Sequence, residues 1–362
     1  MKKLNIAQIS PIDESVPPEK YGATEFMVYN LTEELVKRGH TVYLFATENS
    51  KTSGKLLPFF PKNFRKYPEH YDSKWKDKVI PLCVGRILKD LSKIKVDIIH
   101  NHWGTIIAPF LPIMQAPAVS TMHTPIGFYN KYSKLVYENF AEANYVSISD
   151  NQRKAMPELH YVGTVYHGID IKNYEFSEKR GDYFAFLGRT SPEKGIKEAI
   201  LLAKKTGITL KIAAKSETDK EYFVKEVEPL IDNKQIQFIG EVDLKGKNEF
   251  LKNAIGLIAP IQWEEPFGLV FIEAMACGVP VISFARGSVP EIVVHGKTGF
   301  VSQVNNMDDM AKNIRRLNEM PNDEYAKMRY NARRHVEEKF TVEKMTDGYE
   351  KIYYDILRAP KQ

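Results

Sequence analysis

Cysteine is nearly absent from this 362-residue sequence: Cys83 and Cys277 are its only two, far apart and outside any metal-ligand spacing. A disulfide framework or a zinc module is therefore not expected, and a reducing cytoplasm is the expected compartment. Long apolar runs are missing too, and none approaches the ~18 residues of a spanning helix. The opening nine residues carry too short an apolar stretch for a secretion signal, and Ser10-Pro11 breaks it. There is no tandem repeat, no low-complexity segment and no G-x-G-x-x-G fingerprint. With 43% hydrophobic and 27% charged residues, the composition excludes disordered, collagen-like and coiled-coil chains. At roughly 100–200 residues per domain, the length favours two domains.

Net charge is a modest +5, and all of it sits in residues 1–181, since residues 182–362 balance to zero. Residues 55–90 concentrate basic and aromatic side chains, among them Lys55, Phe59, Phe60, Arg65, Lys66, Lys74, Trp75 and Lys78. Such a stretch can be a solvated face, a nucleic-acid patch, or a surface for anionic lipid or an acidic acceptor. No recognition motif accompanies the charge, so nucleic acid is not an expected partner. Peripheral membrane contact through this basic N-terminal half stays open.

What the sequence does have is rhythm, with short apolar strands alternating with amphipathic helices. Leu4–Ile9 reads as a first strand. Thr24 is placed to cap a helix reaching about Arg38, on which Met27, Leu31 and Leu35 form one stripe. Thr41–Ala46, Val96–Ile99, Ala118–Thr121, Val146–Ser149 and Val162–Tyr166 read as further strands. The pattern restarts with Tyr183–Leu187, a helix from about Gly195, and strands at Leu210–Ala213, Gln237–Ile239, Gly256–Ala259 and Val279–Phe284. Asn173–Asp182 is polar and weakly patterned and reads as a linker. In Val342–Leu357, Met345, Tyr349, Ile352 and Tyr353 recur at helical spacing. The expected fold class is α/β, with two Rossmann-like, doubly wound parallel-sheet domains over residues 1–172 and 183–341. Ligands of such sheets bind outside the carboxyl ends of the strands, so a cleft between the halves is the expected site.

Four constellations sit at strand ends. The first runs from Glu264 to Pro280 as loop, helix and strand. Its helix, read as Phe267–Cys277, is apolar nearly all round and expected to be buried, with Gly278 as its stop. Glu273 lies inside it, and an ionised carboxylate there needs a partner. A ligand diol, a salt bridge to a nearby arginine, or a rotated helix would each serve. Glu265 either caps the helix or turns to a ligand hydroxyl. The amides of Phe267, Gly268, Leu269 and Val270 form an anion site of the kind that takes phosphate. The second constellation is the strand-to-helix turn Gly188-Arg189-Thr190-Ser191-Pro192-Glu193-Lys194-Gly195. Arg189 and Lys194 can reach one anion there, or they pair with Glu193 or Glu198. In the third, Tyr21-Gly22-Ala23-Thr24, Gly22 either admits a phosphate to the backbone or serves the turn alone. In the fourth, Thr121-Met122-His123-Thr124-Pro125, the histidine either donates to a substrate hydroxyl or is a satisfied structural group. His100 and His102 flank Asn101, but no third ligand has clear spacing, so no metal is expected there.

Together these segments resemble the family 4 glycosyltransferases, retaining enzymes of the two-domain GT-B architecture. The resemblance covers most of the chain. It is carried by Gly22, His123-Thr124-Pro125, Tyr166-His167-Gly168-Ile169-Asp170, Gly188-Arg189 with Glu193-Lys194-Gly195, and the Glu-x7-Glu pair of Glu265 and Glu273. Gly287-Ser288-Val289-Pro290-Glu291 and Gly296-Lys297-Thr298-Gly299 complete it. Ala23 departs from a frequent second glycine, and His167 from a frequent asparagine. The resemblance implies that Arg189 and Lys194 hold a donor diphosphate, Glu273 the ribose and Glu265 the hydroxyls of the donor sugar. The amides after Pro266 would contact the sugar and the distal phosphate. Gly22 would close on the diphosphate, His123 would contact the sugar near its 6-hydroxyl, and residues 342–362 would return to the N-terminal domain.

The implied reaction moves a sugar from a UDP- or GDP-linked donor to a carbohydrate, lipid-linked or small-molecule acceptor, with retention at the anomeric carbon. The nucleoside diphosphate sugar is a co-substrate, and no further cofactor is implied. No Asp-x-Asp occurs, so Arg189, Lys194 and the helix amides are expected to stabilise the leaving diphosphate without a metal. Front-face transfer, in which the leaving phosphate oxygen takes the acceptor proton, is expected rather than attack by Glu265. A nucleotide-sugar epimerase of the same fold and a non-catalytic nucleotide-sugar binding protein are the alternatives. A phosphorylase-like enzyme would need a pyridoxal lysine, for which there is no local signal.

Overall fold

A computed structural model describes residues 2–19, 22–127, 132–216 and 219–359. The chain divides into two compact units, Met1–Gly168 with Val342–Gln362, and Ile169–Thr341. In the first unit the strands are β1 (Asn5–Ile9), β2 (Thr41–Thr47), β3 (Lys55–Phe60), β4 (Ile98–Asn101), β5 (Ala118–Thr121), β6 (Tyr145–Ser147) and β7 (Tyr161–Thr164). They pair in the order β3-β2-β1-β4-β5-β6-β7. In the second unit β8 (Tyr183–Arg189), β9 (Leu210–Lys215), β10 (Ile236–Gly240), β11 (Ala254–Ala259), β12 (Val281–Phe284) and β13 (Gly299–Ser302) pair in the order β10-β9-β8-β11-β12-β13. The strand pairs are parallel, β1 with β4 and β8 with β11 among them. The strand order reverses once in each sheet, at β1/β4 and at β8/β11. A parallel sheet opens a crevice for ligands at such a switch point.

The hydrophobic patterning accounts for the helices that cover the sheets. Met27, Leu31 and Leu35 of the helix Ala23–Lys37 are all buried. Its N-cap is Gly22 rather than Thr24, and no side chain caps it. In the second unit Phe184, Phe186, Leu210, Ile212 and Ile282 form a core with the apolar faces of the helices Ile196–Thr206 and Met307–Asn318. The helix read from sequence as Phe267–Cys277 is shorter, Leu269–Ala276, because Gly268 at φ 82° sets its start. It is buried from Phe271 onward. The last helix, Val342–Arg358, buries Met345, Tyr349 and Tyr353 within the first unit.

Two segments fold differently from their sequence reading. The chain enters the second unit at Ile169, whose N–H donates to the Phe340 carbonyl and which bridges Thr341. The polar stretch Asn173–Asp182 therefore lies inside that unit, and Tyr174 within it is buried. The basic and aromatic stretch 55–90 forms β3 and a helix, Ser73–Leu91. Its rings turn inward: Phe64 lies 4.8 Å from Trp75, and Phe59 5.6 Å from Trp103. Arg65 and Lys66 pair with Glu14 and Glu19, while Lys74, Lys78 and Arg86 stay exposed. Among the described residues, no helix is long and apolar enough to cross a membrane.

Candidate active site

At the switch point of the second sheet, β8 runs into the Arg189–Gly195 turn and β11 into the loop that ends at Gly268. Backbone packing locks the two together. Gly195 has φ 73°, and a Cβ there would lie 2.0 Å from the Pro260 carbonyl oxygen, so only glycine permits the approach. The Gln262 N–H then donates to the Glu193 carbonyl at 2.8 Å. Gly287, at φ 58°, packs likewise on the backbone of Glu265. Its N–H donates to a Glu264 carboxylate oxygen at 2.9 Å, and the Ser288 hydroxyl donates to the Phe267 carbonyl at 2.7 Å. The Gly287-Ser288 segment thus shapes the loop that carries Glu265.

This framework brings Lys194 and Glu265 together across 71 residues of sequence. Lys194 Nζ donates to Glu265 Oε2 at 2.5 Å, and Trp263 Nε1 donates to the same oxygen at 2.9 Å. Lys194 also sits 4.6 Å above the Trp263 ring. Arg189 donates to Glu193 Oε1 at 3.0 Å, an oxygen that also accepts from the Ser191 hydroxyl at 2.7 Å. Of the sequence alternatives, Arg189 takes the pairing with Glu193, Lys194 pairs with Glu265 instead, and Glu265 is not the helix cap.

Glu273 is buried on the helix Leu269–Ala276. Its Oε1 accepts from Lys247 Nζ at 2.6 Å and from the Tyr174 hydroxyl at 3.0 Å. Its cationic partner is therefore a lysine from the helix Leu244–Lys252, not an arginine. Burial, with the Glu273 charge alongside, holds the Tyr174 phenol well above its usual range. Among the described residues, both donors to Glu265 converge on Oε2 and both donors to Glu273 on Oε1. Among those residues, the other oxygen of each acid is left for a further donor. The helix's first bond runs from the Phe271 N–H to the Gly268 carbonyl at 3.0 Å, so the amides of Leu269 and Val270 lie in its unbonded first turn. The Phe267 side chain is core, its ring 5.9 Å from Phe340.

At the switch point of the first sheet, His100 lies on β4 and His102 just beyond it. Residues two apart on a strand share a face, and these rings are 3.8 Å apart. His100 Nδ1 meets the Tyr353 hydroxyl at 2.6 Å and its Nε2 meets Thr121 Oγ1 at 2.7 Å. Gln8, on β1, donates from Nε2 to Tyr353 at 3.1 Å and meets His102 Nε2 with its Oε1 at 2.5 Å. His102 Nδ1 faces His123 Nε2 at 2.9 Å, and His123 Nδ1 faces His167 Nε2 at 3.4 Å. Burial holds His100, His102 and His167 well below the usual imidazole range, reinforced by their histidine neighbours. Burial also pushes His123 down to about 3. All four rings are therefore neutral near pH 7. The nitrogens face one another rather than a common point, and no group of three His, Cys, Asp or Glu among the described residues is placed to hold a metal.

Gly22 packs its Cβ-less side on the loop after β1, where a Cβ would meet Pro18 Cβ at 2.8 Å. Tyr21 of that motif lies outside the described residues. The fold recruits Trp263, Lys247 with Tyr174, and Gln8 with Tyr353, for whose roles the sequence carries no local pattern. His100 and His102, two residues apart at the end of β4, do carry a local signal.

Two family models match consecutive stretches of the chain, "Glycosyltransferase Family 4" over residues 24–173 and "Glycosyl transferases group 1" over residues 170–335. Over 99 residues, 27% of this chain, the sequence is 42% identical to N-acetyl-alpha-D-glucosaminyl L-malate synthase of Bacillus anthracis, and that match spans 26% of the relative. The structure resembles sucrose-phosphate synthase from Thermosynechococcus elongatus, with a TM-score of 0.83 at 19% identity over 99% of this chain and 100% of that one. It also resembles Anabaena HepE in complex with UDP-glucose, with a TM-score of 0.73 at 17% identity over 98% and 99% of the two chains. The fold is of the GT-B type.

Proposed function

The chain belongs to the family 4 glycosyltransferases, and from that premise we propose that it moves a sugar from a nucleoside diphosphate sugar to an acceptor hydroxyl, with retention at the anomeric carbon and without a bound metal. The pairing of Lys194 with Glu265, at the end of the turn that also carries Arg189 paired with Glu193, supports this reading. HepE, a neighbour in fold, was solved with UDP-glucose, which favours a nucleotide-sugar donor here as well.

The barrier to transfer is charge building on the leaving diphosphate. Lys194 Nζ and the Arg189 guanidinium already sit beside carboxylates at 2.5 and 3.0 Å, so they are oriented before the ligand arrives. Each then shares its positive charge with the diphosphate, as a point charge and a planar fork respectively. The amides of the Phe267–Val270 segment add the positive end of a buried helix. Glu265 turns Oε1 to a hydroxyl of the donor sugar, and Glu273 turns Oε2 to the ribose. In the transfer step the bond from the anomeric carbon to the phosphate oxygen breaks. The acceptor oxygen bonds to that carbon on the same face, and its proton passes to the departing phosphate oxygen.

Within the first unit, His123 meets a sugar hydroxyl by the family resemblance, and the loops of this unit take the acceptor. Exposed Lys74, Lys78 and Arg86 favour an anionic acceptor or a lipid surface held by charge, because Phe59 and Phe64 of that stretch are core and Phe60 and Trp75 pack against them. The test is donor turnover in EDTA, with the anomer of the released or transferred sugar read by NMR before mutarotation. Turnover that persists in EDTA and keeps the donor's configuration supports the reading. Loss in EDTA with rescue by magnesium, or an inverted product, overturns it.

A further inference from the structure

The hydrogens of the histidine network can be counted one by one. The Gln8 amide has two unlike ends, Nε2 that only donates and Oε1 that only accepts. Nε2 donates to the Tyr353 hydroxyl, so Tyr353 directs its own proton to His100 Nδ1 at 2.6 Å. His100 then carries its hydrogen on Nε2 and donates to Thr121 Oγ1, whose hydroxyl donates to Tyr349 at 3.1 Å. On the other side, Gln8 Oε1 must receive, so His102 carries its hydrogen on Nε2. A neutral imidazole has one N–H, which makes His102 Nδ1 an acceptor. His123 therefore donates to it from Nε2 at 2.9 Å. His123 Nδ1 is left to accept from His167 Nε2 at 3.4 Å, the longest link of the series. One amide orientation thus sets four ring tautomers, and burial keeps each ring neutral so that the count closes.

We propose that Gln8 and His102 are positioning residues that hold His123 as the Nε2–H tautomer, so that its ring offers a ligand hydroxyl an acceptor, Nδ1, and no donor. The ligand half of this statement rests on the reading above, in which a sugar reaches His123. The hydroxyl displaces the long His167 contact and leaves the short His102 contact in place. Gln8 acts on the ligand through two hydrogen bonds and never touches it.

The experiment uses the full chain labelled with 15N-histidine. Two-bond proton–nitrogen correlations report which ring nitrogen carries hydrogen, and the signals lost in His123→Asn assign His123. The expected result is hydrogen on Nε2, and hydrogen on Nδ1 overturns the proposal. Gln8→Glu keeps an acceptor for His102, so His123 keeps its tautomer. Gln8→Leu removes that acceptor, so the His123 nitrogens move toward averaged shifts. A purely structural role for Gln8 would rank these variants the other way, since burying a carboxylate costs more desolvation than burying leucine. An unchanged His123 tautomer in Gln8→Leu also overturns the proposal. The tautomer is read without ligand, so a failure of the nucleotide-sugar reading leaves that half standing. UDP-glucose that binds without moving the His123 Nδ1 resonance removes the ligand half.

Discussion

At the switch point of the second sheet the converging groups are charged and paired, Lys194 with Glu265 and Arg189 with Glu193, with Lys247 on Glu273 nearby. At the switch point of the first sheet the converging groups are neutral: four imidazoles, the Gln8 amide, and the hydroxyls of Thr121, Tyr349 and Tyr353. The same sheet topology therefore presents two different solvents to a ligand. Paired ions can exchange a carboxylate partner for a phosphate at little electrostatic cost. A neutral network of fixed tautomers instead orients hydroxyls, and it is sensitive to added protons. The charged group of residues suits an anionic ligand, and the neutral one suits a ligand rich in hydroxyls.

Acid should break the comparison most sharply. The imidazoles of His100, His102, His123 and His167 titrate below their unfolded value near 6.5, so the unfolded chain takes up protons first. Their contribution to stability is complete above about pH 6.5 and falls as pH drops toward the folded values, about 3 for His123. At pH 5.5 each histidine loses about 1.4 kcal/mol, roughly 5–6 kcal/mol for the four, a sum comparable to the stability of a whole domain. Urea unfolding between pH 7.5 and 5.5, followed through Trp103 beside this network, should reveal that loss. In the second unit only His335 has an imidazole held low, by burial first, so an equal acid loss reported by Trp263 would erase the contrast.

Removal of a cation comes next. Lys194→Ala should lower the transfer rate about a hundredfold to a thousandfold, the ~3–4 kcal/mol typical of one preorganised group facing developing charge. A steady-state rate within threefold of the parent would take Lys194 out of the mechanism. Glu273→Gln should weaken donor binding by ~1–3 kcal/mol, because a charged acceptor is lost and Lys247 is left beside a neutral amide. Isothermal titration with the donor measures this, and unchanged affinity would assign Glu273 to structure alone. Trp263→Phe should have the smallest effect, about 1 kcal/mol or a few-fold in rate, since it deletes one hydrogen bond to Glu265 and keeps a ring under Lys194.

Much of the fold is legible in sequence because parallel strands buried on both faces read as short apolar runs. Ala118–Thr121 falls where its residues place it, and Met27, Leu31 and Leu35 bury as their spacing requires. β3 hides because it is an edge strand with Pro58 inside it, tolerated only where the ladder is open on one side. The helix Ser73–Leu91 hides behind Pro81 in its interior and its many lysines. The Glu265 and Glu273 spacing is local and stands out. Their partners Lys194 and Lys247 come from turns and helices 71 and 26 residues away, which no local pattern encodes. The histidine network is further out of reach. It draws on β1, β4 and β5, the segments after β4, β5 and β7, and the last helix, with Gln8 and Tyr353 separated by 345 residues.

The most direct test of the ion-paired site is the melting temperature of the parent chain and of an Arg189→Ala, Lys194→Ala double variant against UDP-, GDP- and ADP-sugars in EDTA. A ligand at about a hundred times its dissociation constant adds ~2.7 kcal/mol. At least one nucleotide sugar should raise the parent's melting temperature and leave the double variant's unmoved. No shift with any of them, or an equal shift in the double variant, would contradict that expectation.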